Sequence, residues 1–186
     1  FGQTTVPFAL GPATQVAAGS YHSIALKPDG SVVCWGAGMT STIAAPNYRQ
    51  SMVPAGLQSV VQVAGGTYHS MALKANGTVA CWGAGTANTG VTPHFGQCIV
   101  PAGLNSVMQV SAGYTHSVAL RTDGTVTCWG DNSGGQLNMP PGLDQVTQID
   151  AGALHTIALK SDGSVVCWGK NDYGQSTVPA NLGEVV

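Results

Sequence analysis

Apolar positions along the chain come in short runs, each closed by Gly, Pro, Asn or Asp. In SIALKPDGSVVCWG, residues 23–36, two such runs flank Pro28-Asp29-Gly30. Proline presets φ there and glycine accepts the left-handed conformation, so the stretch predicts a β-hairpin closed by a type I turn with a bulge. KANGTV, RTDGTV and KSDGSV repeat that chemistry, and a preceding run such as VVQVAGG or VMQVSAG supplies a further strand entering a glycine bend. No useful length carries the 3.6-residue period of a helix.

The pattern is periodic over the whole chain. His22, His69, His116 and His155 each lie three residues after a glycine, and Trp35, Trp82, Trp129 and Trp168 follow them thirteen residues later; the spacings are 47, 47 and 39. A glutamine four residues before a proline recurs five times, at Gln3, Gln50, Gln97, Gln136 and Gln175. One propeller region, 1–186, results, with landmarks at 1–47, 48–94, 95–133 and 134–172 and a partial repeat at 173–186. Units of about forty residues built from short strands predict an all-β propeller of antiparallel blades, because no single blade can bury both its faces.

Glycine, histidine, Ala-Leu, Asp-Gly, Trp-Gly and Gly-Gln-x-x-x-Pro in fixed order, as in AGSYHSIALKPDGSVVCWG with DNSGGQLNMP and KNDYGQSTVP, resemble the repeat of the regulator of chromosome condensation superfamily. The resemblance is closest to its bacterial branch, which includes the β-lactamase-inhibitor propellers, and covers essentially the whole chain. It implies a seven-bladed ring that binds proteins through loops on its faces, with no chemistry in common. Four repeats fall short of seven, FGQTTVP at 1–7 parallels YGQSTVP at 173–179, and GEVV stands where another strand is due. The expectation is therefore a larger or partner-completed propeller, completed by another copy or by further blades of the same chain. The alternative is a closed four-bladed ring.

Candidate chemistry changes this picture little. Counting from the hairpin turn, Cys34 faces Ile24, Cys81 faces Met71, Cys128 faces Val118 and Cys167 faces Ile157. Related secreted repeats resemble this one but carry cysteine at both positions. Here the facing residue is apolar, and the reading is an unpaired thiol filling space beside the tryptophan. Cys98 lies outside that slot and forms a His-x-x-x-Cys pair with His94, which lacks the further ligands a zinc site needs; a half-buried strand-start cysteine is expected. The repeated histidines read as structural, each tying its glycine bend to a backbone carbonyl, and the indoles as packing between blades. Ser and His adjoin three times, but neighbours on a strand point to opposite faces, so no nucleophile and base are paired there. No catalytic residue, metal or cofactor is assigned.

Composition narrows the partners. Six Lys/Arg against eight Asp/Glu give a formal charge of −2, which leaves no footprint for nucleic acid, and no apolar run is long enough for membrane insertion. Few charges and the resemblance to secreted repeats point to an extracellular or cell-surface setting.

Variation between repeats marks the candidate site. Fourteen residues separate the Trp-Gly glycine from the landmark glutamine in the first two units, against six in the last two. The inserts bring Met39, Tyr48, Arg49, His94 and Phe95, residue types enriched at protein interfaces, side by side on one face. Asp131, Asn132, Asn171, Asp172 and Tyr173 of the shorter loops add a polar rim. The favoured reading is a non-enzymatic module that recognises a protein partner. A lectin-like propeller binding a glycan, and a structural segment of a cell-surface repeat protein, are the alternatives.

Overall fold

The computed structural model describes residues 1–39, 45–180 and 182. The middle of the first insert and the terminal GEVV, where a further strand was anticipated, lie outside the described residues. The described chain is all-β. Among the described residues no helix is long and apolar enough to cross a membrane.

Blade 1 consists of β1 (Gln15–Ala18), β2 (His22–Leu26) and β3 (Val32–Gly36), and blade 2 of β4 (Val60–Gly65), β5 (His69–Lys74) and β6 (Val79–Gly83). The second insert folds as a small hairpin, β7 (Asn88–Val91) with β8 (His94–Phe95). Blade 3 holds β9 (Val107–Ala112), β10 (His116–Arg121) and β11 (Val126–Gly130), and blade 4 holds β12 (Val146–Ala151), β13 (His155–Lys160) and β14 (Val165–Gly169). Each blade is a three-stranded antiparallel sheet in sequence order. The registers pair each repeated cysteine with the apolar residue expected from the turn: Cys34 with Ile24, Cys81 with Met71, Cys128 with Val118 and Cys167 with Ile157.

Blades stack face to face through cores that each draw on two of them. Ile24, Leu26 and Cys34 of blade 1 pack with Val60, Val63, Ala72 and Trp82 of blade 2. Met71 and Leu73 meet Val107, Val110 and Trp129 across the next interface, and Val118 and Leu120 meet Ile149, Ala158 and Trp168 across the third. Trp82, Trp129 and Trp168 are therefore mortar between blades. Among the described residues no fourth core joins blade 4 to blade 1. The four blades make an open arc of a propeller.

Hairpin turns gather at one end of the blades. At the other end lie the glycine bends before each histidine and the loops that follow each tryptophan, tied together by bonds such as Ala37 N–H to Tyr21 O at 2.8 Å. This second end carries both inserts.

Candidate functional site

Each Trp-Gly ends its blade with a sharp turn. Gly36, Gly83, Gly130 and Gly169 take φ between 104° and 109°, and a Cβ there would strike the backbone beside the preceding histidine. The glutamine that begins the next unit then returns to the same spot. The carbonyl oxygen of Gln50 accepts both the Trp82 indole N–H and the Ser70 hydroxyl at 2.8 Å, and that of Gln97 accepts Trp129 at 2.8 Å and Ser117 at 2.9 Å.

The serine proton is thereby committed to a carbonyl, which fixes the histidine's role. His22 Nε2 lies 2.7 Å from Ser70 Oγ, His69 Nε2 lies 3.1 Å from Ser117 Oγ, and His116 Nε2 lies 3.2 Å from Thr156 Oγ1. Each imidazole therefore donates to a hydroxyl of the following blade and leaves Nδ1 unpartnered and buried. The expected bond to a backbone carbonyl within the turn is replaced by a bridge between blades. The reason is steric: the glycine three residues earlier is pressed against the ring, and a Cβ at Gly66 would collide with His69. Burial lowers the imidazole pKa to about 4 at His22, about 3 at His69 and about 4 at His116. Serine and histidine do meet, but in a sealed interface where the hydroxyl donates away from the imidazole, the reverse of an activated nucleophile.

The cysteines divide. Burial pushes the Cys34 and Cys128 thiols up to about 12 and raises that of Cys167, which leaves them protonated and inert. Cys81 instead forms a disulfide with Cys98 across a Cα–Cα distance of 5.0 Å. This corrects the expectation of an unpaired Cys81 and a free strand-start Cys98. The second insert turns back until Cys98 N–H donates to Gly85 O at 3.0 Å, bringing the thiols together by a loop rather than across the sheet. His94, the other half of the supposed ligand pair, accepts the Gly85 N–H on Nδ1 at 3.2 Å. Among the described residues no three His, Cys, Asp or Glu side chains converge as a metal site would require.

The two inserts meet at the loop end. The Tyr48 and His94 rings stand edge to face at 5.7 Å, and Tyr48 also packs on Tyr68 at 5.3 Å. Tyr68 stacks on Tyr21 at 5.6 Å and meets Tyr114 edge on at 5.8 Å, while Phe1 lies 6.1 Å from Tyr21. Burial, with the neighbouring Tyr114 and Tyr21 hydroxyls, raises the Tyr68 pKa. A cleft of about 230 Å³ opens beside this array, lined by Tyr48, Arg49, Met52, Trp82, Thr86 and His94. Tyr21, Tyr68, Tyr114 and Met52 were missed in the sequence. The tyrosines stand directly before the landmark histidine in two repeats and two residues before it in the third, and blade 4 has Ala153-Leu154 instead.

The other candidates are placed differently. Met39 is exposed and Phe95 is half-buried in β8. Asp131 is buried, and its carboxylate accepts from Ser133 N–H and Oγ, Thr115 Oγ1 and Gln136 Nε2. Burial works to raise its pKa, but these bonds outweigh that and hold it low. Asn132 and Asn171 staple their loops, each accepting a backbone N–H five residues on, at 2.9 and 2.8 Å. Asp172 pairs with Lys170 at 3.0 Å, and Tyr173 is exposed at the far end of the arc.

The profile of the Regulator of chromosome condensation (RCC1) repeat matches residues 13–38, 60–88, 107–136 and 146–175, one match per blade. The chain belongs to the RCC1 repeat family. A comparison with curated proteins found no match. Among solved structures, this RCC1-repeat chain is similar to Prp20p of Saccharomyces cerevisiae, described with its binding to Gsp1p and histones, at 25% identity and a TM-score of 0.68 over 89% of this chain and 46% of that one. Human WBSCR16 is also 25% identical, with a TM-score of 0.66 over 89% and 50% of the two chains. The ectodomain of the Physcomitrella patens receptor kinase CR4 is 27% identical, with a TM-score of 0.62 over 88% and 43%. The chain thus spans about half the length of these relatives.

Proposed function

We propose that the RCC1-repeat arc is a non-enzymatic protein-binding module whose recognition surface is the aromatic face at its loop end. The observation that carries this reading is the continuous array of Tyr21, Tyr68, Tyr114, Tyr48 and His94, bordered by Arg49 and Met52 in one cleft. Tyrosine, arginine and methionine are enriched at protein interfaces, and tyrosine and arginine among the residues that carry most of the binding energy there. Met39 and Phe95 extend the surface, and Asn132, Asn171, Asp172 and Tyr173 continue it along the shorter loops, with Asp131 bracing the first of these loops from beneath. The protein partners described for Prp20p support the class of ligand and say nothing of its identity here. The Cys81–Cys98 disulfide supports an extracellular or cell-surface setting, in keeping with the resemblance of the repeats to a secreted bacterial branch.

Affinity capture from the native source with the wild-type chain, and with Tyr48→Ala and Tyr68→Ala variants, tests the reading. A discrete protein retained by the wild type and lost by both folded variants is the expected result. Binding of a defined sugar on a glycan array, abolished by the same substitutions, would replace the protein partner with the lectin alternative.

A further inference from the structure

The residue before the landmark glutamine is glycine in four of the five repeats, and all four take the left-handed conformation: φ is 76° at Gly2, 79° at Gly96, 77° at Gly135 and 80° at Gly174. In the remaining repeat that residue is Arg49, and it keeps the conformation, at φ 64°. The turn therefore dictates the backbone, and glycine meets it without the cost that an L side chain incurs. Ser59, Ser106 and Gln145, the other non-glycine residues with positive φ among the described residues, share one slot of three successive repeats. Arg49 alone stands where its counterparts are glycine. The slot is open, since no atom lies within 4 Å of where a Cβ would sit at Gly2 or Gly174, and Arg49 itself is exposed, so the arginine fills no core. Strain kept at an exposed position points to a role in binding.

Charge is distributed to the same effect. Between Asp29 and Arg121 the sequence holds only two Lys, Arg, Asp or Glu residues, Arg49 and Lys74. Lys74 closes the blade 2 hairpin turn, where its carbonyl accepts the Gly77 N–H at 2.9 Å, and so lies at the end of the blades away from the inserts. Asp29, Asp123 and Asp162 are held in hairpin turns at that end too, each accepting from the residue two positions on. Neither insert contains a carboxylate. The aromatic face of blades 1 and 2 therefore carries one formal charge, the Arg49 guanidinium, beside a cleft lined by Tyr48, Met52 and Thr86.

We infer that Arg49 is the specificity-determining residue of the aromatic face, and that the partner presents an acidic segment there: a carboxylate for the guanidinium, with an adjoining apolar side chain in the cleft beside Tyr48 and Met52. The planar guanidinium matches a carboxylate with two parallel hydrogen bonds, and no carboxylate of the inserts competes for it or repels the incoming one. This inference rests on the protein-binding role proposed for the face and adds the chemistry of the ligand.

The probes are apolar nonapeptides on an array, each made with Glu, Gln or Lys at its centre. The wild-type chain is expected to retain the Glu forms about tenfold better than the Gln forms, and the Lys forms least. Arg49→Gly should hold Glu and Gln forms alike and should melt at or above the wild-type temperature, because glycine suits the backbone of that slot. Arg49→Lys, which keeps the charge without the planar fork, should retain a reduced preference for Glu. Tyr48→Ala should weaken the Glu and Gln forms together. A wild type that holds the three forms equally, or holds none, overturns the inference. So does an Arg49→Gly variant that melts lower, which would make the guanidinium a brace of the insert. Capture of a discrete protein that depends on Tyr48 and Tyr68 but survives Arg49→Gly would sink the carboxylate and keep the protein-binding face, so the two readings fail separately.

Discussion

Blades 1 and 2 share their sheet and tryptophan anchor with blades 3 and 4, and histidine bridges join each blade to the next, yet the loops that follow them have little in common. Long inserts meet as aromatic rings in the first pair, whereas short Asn-stapled loops leave a polar cleft lined by Ser133, Leu154, Lys170, Asn171 and Asp172 in the second. What makes the exchange tolerable is the side chain of the landmark glutamine. Gln50 and Gln97 accept an N–H two residues back and donate to Pro46 O and Pro93 O, both at 2.6 Å. Gln136 accepts in the same way from Gly134 and donates to the Asp131 carboxylate at 3.1 Å. A proline carbonyl replaces a carboxylate, and the clamp closes either way. The loop is therefore free to vary in length while its backbone carbonyl still holds the next blade's indole.

If the scaffold is common to both halves, acid should break both at once. The unfolded histidine value of 6.5 falls to about 4, 3 and 4 for His22, His69 and His116, so between those limits the unfolded chain binds more protons than the folded one. Stability is full above pH 6.5 and is lost as the pH falls toward the folded values. At about 1.4 kcal/mol per unit, each histidine forfeits roughly 3 kcal/mol by pH 4, enough for the three together to unfold a domain of ordinary stability. Urea midpoints measured between pH 7 and pH 4.5 should fall steeply, and a flat profile would show that the imidazoles are not sealed.

The interior of the arc should also be harder to perturb safely than its open edge. Trp129 is 7% exposed within the core shared by blades 2 and 3, and Trp129→Ala is expected to cost about 3–5 kcal/mol. Trp35 donates to Gln3 O at 2.8 Å in the same way but is only half-buried, with no other blade packed against it among the described residues. Trp35→Ala should cost clearly less in denaturant unfolding of the isolated chain. Equal losses would mean that blade 1 is covered in solution.

Much of this scaffold was readable because its chemistry repeats. The hairpin turn fixed every cysteine's partner residue, and the identical placement of the four indoles pointed to packing rather than recognition. The histidine bridge was not readable, since its acceptor is 48 residues away in the first two instances and 40 in the third, a distance at which only the ring geometry brings the groups together. The Cys81–Cys98 bond escaped for a related reason: the residue opposite Cys81 in the sheet is Met71, and nothing in the local pattern shows the insert folding back. At the candidate site, unequal loop lengths singled out Tyr48 and His94, whose rings meet on adjoining loops. Tyr21, Tyr68 and Tyr114 were hidden by lying inside the repeated motif, where variation was easy to overlook.

That disulfide offers the narrowest way to separate the two halves, because the short-loop blades have no counterpart to it. It closes a loop across 17 residues around β7 and β8, a constraint worth at most about 3 kcal/mol on a chain-entropy account. Its loss should fall on the insert alone, since the blade 2 sheet keeps its ladder and the Gln97 clamp. In Cys98→Ser, or after reduction, amide exchange at residues 88–95 is expected to speed up, while the strands of blades 3 and 4 exchange as before. Because His94 sits on that hairpin and touches Tyr48, the aromatic array should loosen with it, and partner capture should weaken. Unchanged exchange across 88–95 would show that the Gly85, Gln97 and Pro93 bonds already fix the insert, and that the aromatic face owes nothing to the sulfur bridge.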